Sequence, residues 1–389
     1  LRMAALGERI FVDLGRPDGR VVVITAHGWR LEICNDVHFV RFAGFKQLPD
    51  PISGSPIDIV REELGLDDSN WPQWLAFVLA SLMPDGPFFC LFVEGEHGSG
   101  KSVHSANIKR ILDPHAMEKL SLPKTRHDLA IQAQEHWLLV FDNVSHIGWE
   151  ISDGLCTLST GGGYSTRKFF TDNESRNFDS KRPFMINGIG DFADRADLLD
   201  RAIPLRLKPV SANARRSEKD LKARFEIILP EILGALYDLV SHALHHRDSV
   251  AVPTSIRMAD AAHWLVAAEP ATGLPPGTFL AALERSQTDM LVDRVINDPL
   301  TIALMKIAES SVFEGMLGVL HNKIKVENPH ERRLPPTAAH LSNTLKRLNP
   351  AFVKIGLTVE FGEKTHKGRF IRISLDKSVM GKASLSDRK

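Results

Sequence analysis

Cysteine is scarce in this chain. Cys34, Cys90 and Cys156 are its three, far apart and without C-x-x-C spacing. That argues against a disulfide framework or a thiolate metal site, and for small buried hydrophobes in a reducing, cytoplasmic setting. Also missing are an uninterrupted apolar run of about eighteen residues and a charged-then-apolar start of signal-peptide type, so no membrane span or secretory leader is expected. Internal repeats and low-complexity tracts are absent, which excludes solenoids and linker-like chains. Initiator methionine is lacking too: the chain opens Leu1-Arg2-Met3 and reads as a piece of something longer.

What remains is an ordinary globular composition, 43% hydrophobic and 25% charged over 389 residues, enough for two or three domains with real cores. Net charge is zero, but its distribution is uneven. Residues 321–389 hold 15 Lys and Arg against 6 Asp and Glu, and the rest of the chain is acidic to the same degree. A basic end on an acidic body is either a nucleic-acid footprint or a solvated charged surface.

The most informative stretch is Gly95-Glu96-His97-Gly98-Ser99-Gly100-Lys101-Ser102, which fits the phosphate-loop pattern G-x-x-x-x-G-K-[ST]. An apolar run over 88–93 precedes it and a Gly- and Pro-free run over 102–112 follows, the strand–loop–helix setting this motif requires. Glycines let successive N–H groups face phosphate oxygens at a helix N-terminus. Lys101 is then expected on the β- and γ-phosphates of ATP and the Ser102 hydroxyl on Mg²⁺. Asp142 ends a second apolar strand over 137–141, where a Walker-B aspartate holds the same ion through water. Asn143 follows, where many ATPases place the glutamate that activates water. An amide cannot take a proton, so the general base is unassigned. Asn187 ends a third apolar strand, with an attacking water or an Asn-Gly turn as its alternative roles. Arg195 and Arg201 lie just beyond, either as an arginine finger for a neighbouring subunit or as salt-bridged helix ends among three aspartates.

Around these motifs the pattern predicts an α/β fold: a parallel sheet with helices on both faces, a small β-rich domain over 1–56, an ATPase core over 57–210, a helical lid over 211–290 and a last domain over 291–389. Strands are expected over 9–14, 20–25 and 37–42, helices over 57–64 and 71–82 with Asn70 as cap, and a hairpin running out through 164–170 and back through 175–178. The last domain reads as helices over 299–308, 314–325 and 337–348 and strands over 356–361 and 369–375. That order is similar to a winged helix, with Arg332, Arg333, Lys346, Arg347, Lys364, Lys367 and Arg369 as DNA contacts or, alternatively, a protein-interaction module. His242, His245 and His246 have helical metal-ligand spacing but no carboxylate or cysteine partner, and read as cations at a helix C-terminus.

Taken in order and spacing, the phosphate loop, Asp142-Asn143, Asn187 and Asp194-Arg195-Ala196-Asp197-Leu198-Leu199-Asp200-Arg201 resemble an AAA+ ATPase. The hairpin before Asn187 resembles the pre-sensor-1 hairpin of the helicase clade that includes MCM and superfamily 3 proteins. Phe141–Ser145, Gly161–Arg167, Arg257–Asp260 and Leu345–Ile373 resemble MCM-like helicases and phage-type ATP-binding proteins of mobile elements, and the likeness runs from about residue 10 to 375. It implies Asn187 as sensor 1, Arg195 or Arg201 as the finger, Arg257 as a sensor 2 on the γ-phosphate, and Arg167 and Lys168 beside Phe169 and Phe170 as pore contacts to single-stranded DNA. It also implies a homo-oligomeric ring, a hexamer, acting as a DNA helicase or translocase in replication of a mobile element. A nucleotide switch or loader is the alternative. A small-molecule kinase would explain neither hairpin nor basic end.

Overall fold

Four strands open the chain, β1 (Met3–Leu6), β2 (Arg9–Asp13), β3 (Arg20–Thr25) and β4 (Gly28–Ile33), paired antiparallel in that order. The β-branched run of β3 suits a strand buried on both faces. Val22 and Ile24 turn with Ile10 and Val12 into the main core, while Val21 and Val23 pack with Phe11 on the other face. Residues 37–42, expected as a strand, form none: Val37 and Phe39 lie against that second face as a coil covering it. Strand β3 pairs with β2 and β4 instead. The computed structural model describes the chain except for residues 163, 168–174, 179–180, 189–194, 211–215, 332, 367, 377 and 379–389.

Next come α1 (Asp58–Leu64), α2 (Asn70–Ser81), β5 (Cys90–Gly95), α3 (Lys101–Leu112), α4 (Arg126–Glu135), β6 (Leu139–Val144) and α5 (Trp149–Thr160). They are followed by β7 (Tyr164–Arg167), β8 (Ser175–Phe178), β9 (Phe184–Gly188), α6 (Ala196–Leu199) and β10 (Ala202–Leu207). A parallel sheet of order β10-β5-β9-β6 forms the centre, and β7 and β8 pair as an antiparallel hairpin. Strand β10 has no counterpart in the sequence reading, because Pro204 interrupts its pattern. Proline is tolerated there since β10 is an edge strand paired only with β5. Asn70 covers part of that edge. It does not cap α2, whose cap position is Ser69. Its amide donates to the Arg206 carbonyl at 2.9 Å and accepts from the Arg206 N–H at 3.0 Å, as a neighbouring strand would.

Beyond them lie α7 (Glu218–His246), α8 (Ala259–Ala268) and α9 (Thr278–Ile296). By length and composition α7 could cross a membrane, but Phe225, Leu229, Ile232, Leu236 and Val240 are buried among core residues. The β-rich domain over 1–56 and the lid over 211–290 are not set apart from the central sheet. One apolar core joins Ile10 and Val22, Leu91 and Val93 of β5, Leu236 of α7 and Leu265 of α8. A four-stranded meander buries too little alone and gains a core by sharing this one. A buried ionic knot pins the junction. The Arg2 guanidinium donates to the carbonyls of Asp13, Lys46 and Pro114 and lies 3.7 Å from Asp113. Asp113 also takes Lys109 Nζ of α3 at 2.7 Å and the N–H of Trp137 at 2.8 Å.

The chain divides into two compact units, residues 1–287 and 288–389. The second holds α10 (Pro299–Ser310), β11 (Phe313–Met316), α11 (Leu317–Glu327), α12 (Ala338–Lys354), β12 (Leu357–Thr365) and β13 (Gly368–Leu375). Its core is its own: Leu304, Leu320, Leu345, Phe352, Leu357 and Ile371 among others. The sheet order is β11-β13-β12, antiparallel. Residues 313–316, partly expected as helix, are the short strand β11, and α12 continues through Pro350 rather than stopping at 348.

Candidate nucleotide site

Strand β5 delivers the chain to the phosphate loop and α3 carries it away, so the loop sits at the C-terminal end of the sheet, where ligands of open α/β folds collect. Three of its glycines carry the turn. Gly98 and Gly100 adopt φ of 79° and 81°, which disfavours side chains. At Gly95 a Cβ would stand 2.6 Å from the Leu207 carbonyl of β10, so the strand could not approach with any other residue. Helix α3 opens at Gly100 without a side-chain cap, leaving its first N–H groups directed at the cavity before it. The Ser99 hydroxyl is buried there without a hydrogen-bond partner. Lys101 folds back onto the loop, its ammonium donating to the Gly95 carbonyl and, at 2.9 Å, to that of Glu96. Ser102 is exposed toward the same cavity.

Parallel pairing places the polar residues. Because β9 runs between β5 and β6, its end brings Asn187 between the phosphate loop and Asp142. Asn187 is 1% exposed. Its amide N–H donates to Asp142 Oδ1 at 3.1 Å and its oxygen accepts from the Ser105 hydroxyl of α3 at 2.8 Å. A carboxylate can only accept, which orients that amide and lets Ser105 donate. Asp142 Oδ2 pairs with Lys119 Nζ at 2.9 Å. Burial acts to raise the Asp142 pKa, but the hydrogen bonds from Lys119 and Asn187 and the Lys119 charge outweigh it and hold the carboxyl below its usual range.

Asn143 stands in the left-handed region at φ 57°, alone in this among described non-glycine residues. The β6–β9 register slips between Phe141 and Val144, where Asp142 and Asn143 stand against the single Asn187, so Asn143 lies in a bulge. Asparagine tolerates that backbone better than glutamate does, a local reason for an amide where a carboxylate is expected.

Lys101, Ser102, Asp142, Asn143 and Asn187 all line one cavity of about 650 Å³, a size that suits a nucleotide. Leu64, Val210, Leu221 and Phe225 add apolar lining, Val210 directly beside the loop with its N–H on the Gly98 carbonyl at 3.2 Å. Sequence reasoning missed four residues here. Arg216, exposed just before α7, adds a cation to the cavity lining; the Ser217-x-x-Asp220 cap that marks this helix start was a legible signal. Lys119 carries no sequence signal, since it reaches Asp142 only because the Leu120 backbone pairs beside β6. Ser105 and His104 lie on the inner face of α3, and burial pushes the His104 pKa down to about 4.

The sequence profile of actinomycete integrative conjugative element replication proteins matches residues 70–293, and that of the AICE RepA C-terminal domain matches residues 300–384. The chain belongs to this replication-protein family. No curated protein matches it. In fold, this replication protein is similar to SCCmec type IV Cch, described as an active helicase, at TM-score 0.52 and 11% identity over 98% of this chain and 80% of that one. It is also similar to the apo NrS-1 C-terminal region, at TM-score 0.41 and 12% identity over 92% and 94%. For JCV helicase the figures are 0.25 and 14%, over 59% and 70%.

The three arginines of this replication protein divide differently than expected. Arg195, half-buried, pairs with Asp153 at 2.8 Å and with Asp197 at 3.8 Å. Arg201 is 8% exposed and donates to the Asp197 carbonyl. Its side chain is turned inward, whereas that of Arg195 is 39% exposed. Arg257 does not reach the nucleotide cavity of its own chain either. It holds Asp197 at 3.0 Å and Asp200 at 3.1 Å, and the hydrogen bond to Asp197 leads in raising its pKa. Arg195 and Arg257 therefore meet at Asp197, away from the phosphate loop.

Of the hairpin residues, Arg167 ends β7, whereas Lys168, Phe169 and Phe170 lie outside the described residues. In the second unit Lys346, Arg347 and Lys364 are exposed. Lys346 and Arg369 flank the Phe361 ring at 5.7 and 5.9 Å, and Lys367, like Arg332, is outside the described residues. The His242, His245 and His246 rings cluster at the end of α7, where His242 Nδ1 meets the Ala267 carbonyl at 3.0 Å.

Proposed function

We propose that this replication protein is an ATP-driven DNA helicase or translocase of AAA+ type, working as a homo-oligomeric ring, a hexamer, in replication of its conjugative element. The observation that carries the reading is the meeting of Lys101, Asp142 and Asn187 around one glycine-built loop. The residues fit Mg·ATP: uncapped N–H groups and a mobile ammonium suit phosphates, and a hydroxyl with one low-pKa carboxylate suits a hard cation that shares its shell with phosphate oxygens. Lys101 would leave the Gly95 and Glu96 carbonyls for the β- and γ-phosphates. Ser102 and Asp142 would hold Mg²⁺, with Lys119 giving up its contact, and the apolar lining of Leu64, Leu221 and Phe225 would take the base. Asn187, held by Ser105 and Asp142, would orient the attacking water. Arg195 is read as the finger completing a neighbour's site, and Arg257, on the same acidic cluster, as acting from that face.

The C-terminal unit is read as a winged helix, with α12 as the DNA helix and the β12–β13 turn as the wing. The β7–β8 hairpin, with Arg167 and Lys168, is read as the pore contact to single-stranded DNA. The test is phosphate release and fork unwinding by the full chain. Single-stranded DNA should stimulate hydrolysis, Lys101→Ala should abolish it, and Arg195→Ala should be rescued in mixtures with Lys101→Ala. A monomeric chain under ATP with no DNA stimulation would refute the proposal. Asn143 favours a second reading, a slow nucleotide switch or loader, which turnover with DNA separates: a switch binds ATP tightly and turns it over little.

A further inference from the structure

The C-terminal unit contains a second cavity, of about 360 Å³. Val295, Leu300 and Leu334 make an apolar floor, each below 8% exposed. Exposed Arg333, His340 and Arg347 line it as well. The wall is braced: His321 and Lys325 of α11 hold the carbonyls of Pro335 and Pro336, each at 2.9 Å, and Thr337 caps α12 through the His340 N–H at 3.2 Å. One carboxylate lines the cavity, Asp298, and it is engaged with its own helix, accepting from the Thr301 N–H at 3.0 Å and the Thr301 hydroxyl at 3.3 Å. Glu331 is ion-paired to Arg333, 3.3 Å from its Nε, and accepts from the Arg333 N–H at 2.9 Å, so a phosphate would compete with it for this guanidinium.

The Arg333 and Arg347 guanidinium groups on a braced, half-apolar cup suit phosphate oxygens in chemistry and charge. The dry floor lowers the local dielectric and strengthens each contact. We propose that this cavity is a phosphate pocket that seats one backbone phosphodiester of DNA, anchoring α12 on the duplex at a point separate from the β12–β13 turn. It rests on the reading of this unit as the DNA-binding part.

The test is duplex binding by the full chain without nucleotide, followed by fluorescence anisotropy across a salt series. Each phosphate neutralised adds about 0.9 to the slope of log affinity on log salt. Arg347→Gln, at an exposed position that folding does not need, should weaken binding about tenfold at low salt, equally for unrelated sequences. It should also lower the slope by about one. Arg333→Gln should do the same, and Arg347→Lys should keep the slope while losing affinity. A wild-type slope and affinity in both glutamine variants would overturn the pocket. If Lys364→Gln still lowers the slope in that case, the DNA-binding reading stands and the pocket alone has failed. Absence of duplex binding by the unaltered chain would remove both. Displacement of DNA by millimolar deoxynucleoside monophosphate, lost in Arg347→Gln, would show a site for free phosphate instead and overturn the assignment to backbone.

Discussion

Asp113→Asn tests the ionic knot that ties the phosphate-loop helix to the rest of its unit. Arg2, Lys109 and Asp113 are 0%, 1% and 2% exposed, so one carboxylate serves two buried cations. Burial pushes its pKa up, but the charges of Lys109 and Arg2 outweigh that and hold it below the usual carboxylate range. Asparagine keeps the shape and can still accept from the Trp137 N–H, now 2.8 Å away, but leaves Lys109 without a counter-charge and Arg2 with that of Asp13 alone. Removing one partner of a buried pair costs about 3–5 kcal/mol, which for a unit of this size lowers the melting temperature by roughly 10 °C. Thermal and urea unfolding of the full chain, followed by circular dichroism, measure it. Lys109→Met alone should also destabilise, since Asp113 then keeps only the more distant Arg2 at 3.7 Å. In the double variant the loss should fall short of the sum by at least about 1.5 kcal/mol, because the two side chains are in direct contact. Additive losses, or an Asp113→Asn cost under about 1 kcal/mol, would refute the reasoning.

Other expectations come from single positions. His136 is pushed by burial to a pKa of about 3, from an unfolded value near 6.5. The unfolded chain therefore binds the extra proton between those values, and stability should fall by about 1.4 kcal/mol per pH unit as pH drops below 6.5. Unfolding free energies at pH 7 and pH 5 check this; His136→Asn, which keeps an acceptor for Lys109, should remove that part of the slope. Asn143→Gly should change stability by only a few tenths of a kcal/mol, while Asn143→Glu should cost about 1 kcal/mol at φ 57°; equal stabilities would count against backbone conformation as the reason for the amide. Gly234→Ala would set a Cβ 1.7 Å from the Ile52 carbonyl, and a loss of about 2 kcal/mol or more is expected in urea melts.

The local code of this replication protein was legible in its sequence wherever one segment sufficed. The loop 95–102 announces itself because each glycine answers a constraint within a few residues, and β5, β6 and β9 because apolar runs of strand length end on polar residues. Val37–Phe42 and Ala202–Leu207 were misread for one reason: whether a segment pairs or merely covers depends on what lies beside it, and Pro204 is harmless only at an edge. Sequence also determined that Asp142 and Asn187 lie near the C-terminal ends of their strands, though β6 runs on to Val144 and β9 to Gly188. Tertiary structure alone decided that β9 lies between β5 and β6, so that Asn187 touches Asp142, that Lys119 reaches the same carboxylate, and that Arg257 joins Arg195 at Asp197 instead of facing its own phosphate loop. Such contacts join residues tens of positions apart, and strand order, which no local pattern encodes, sets which of them meet.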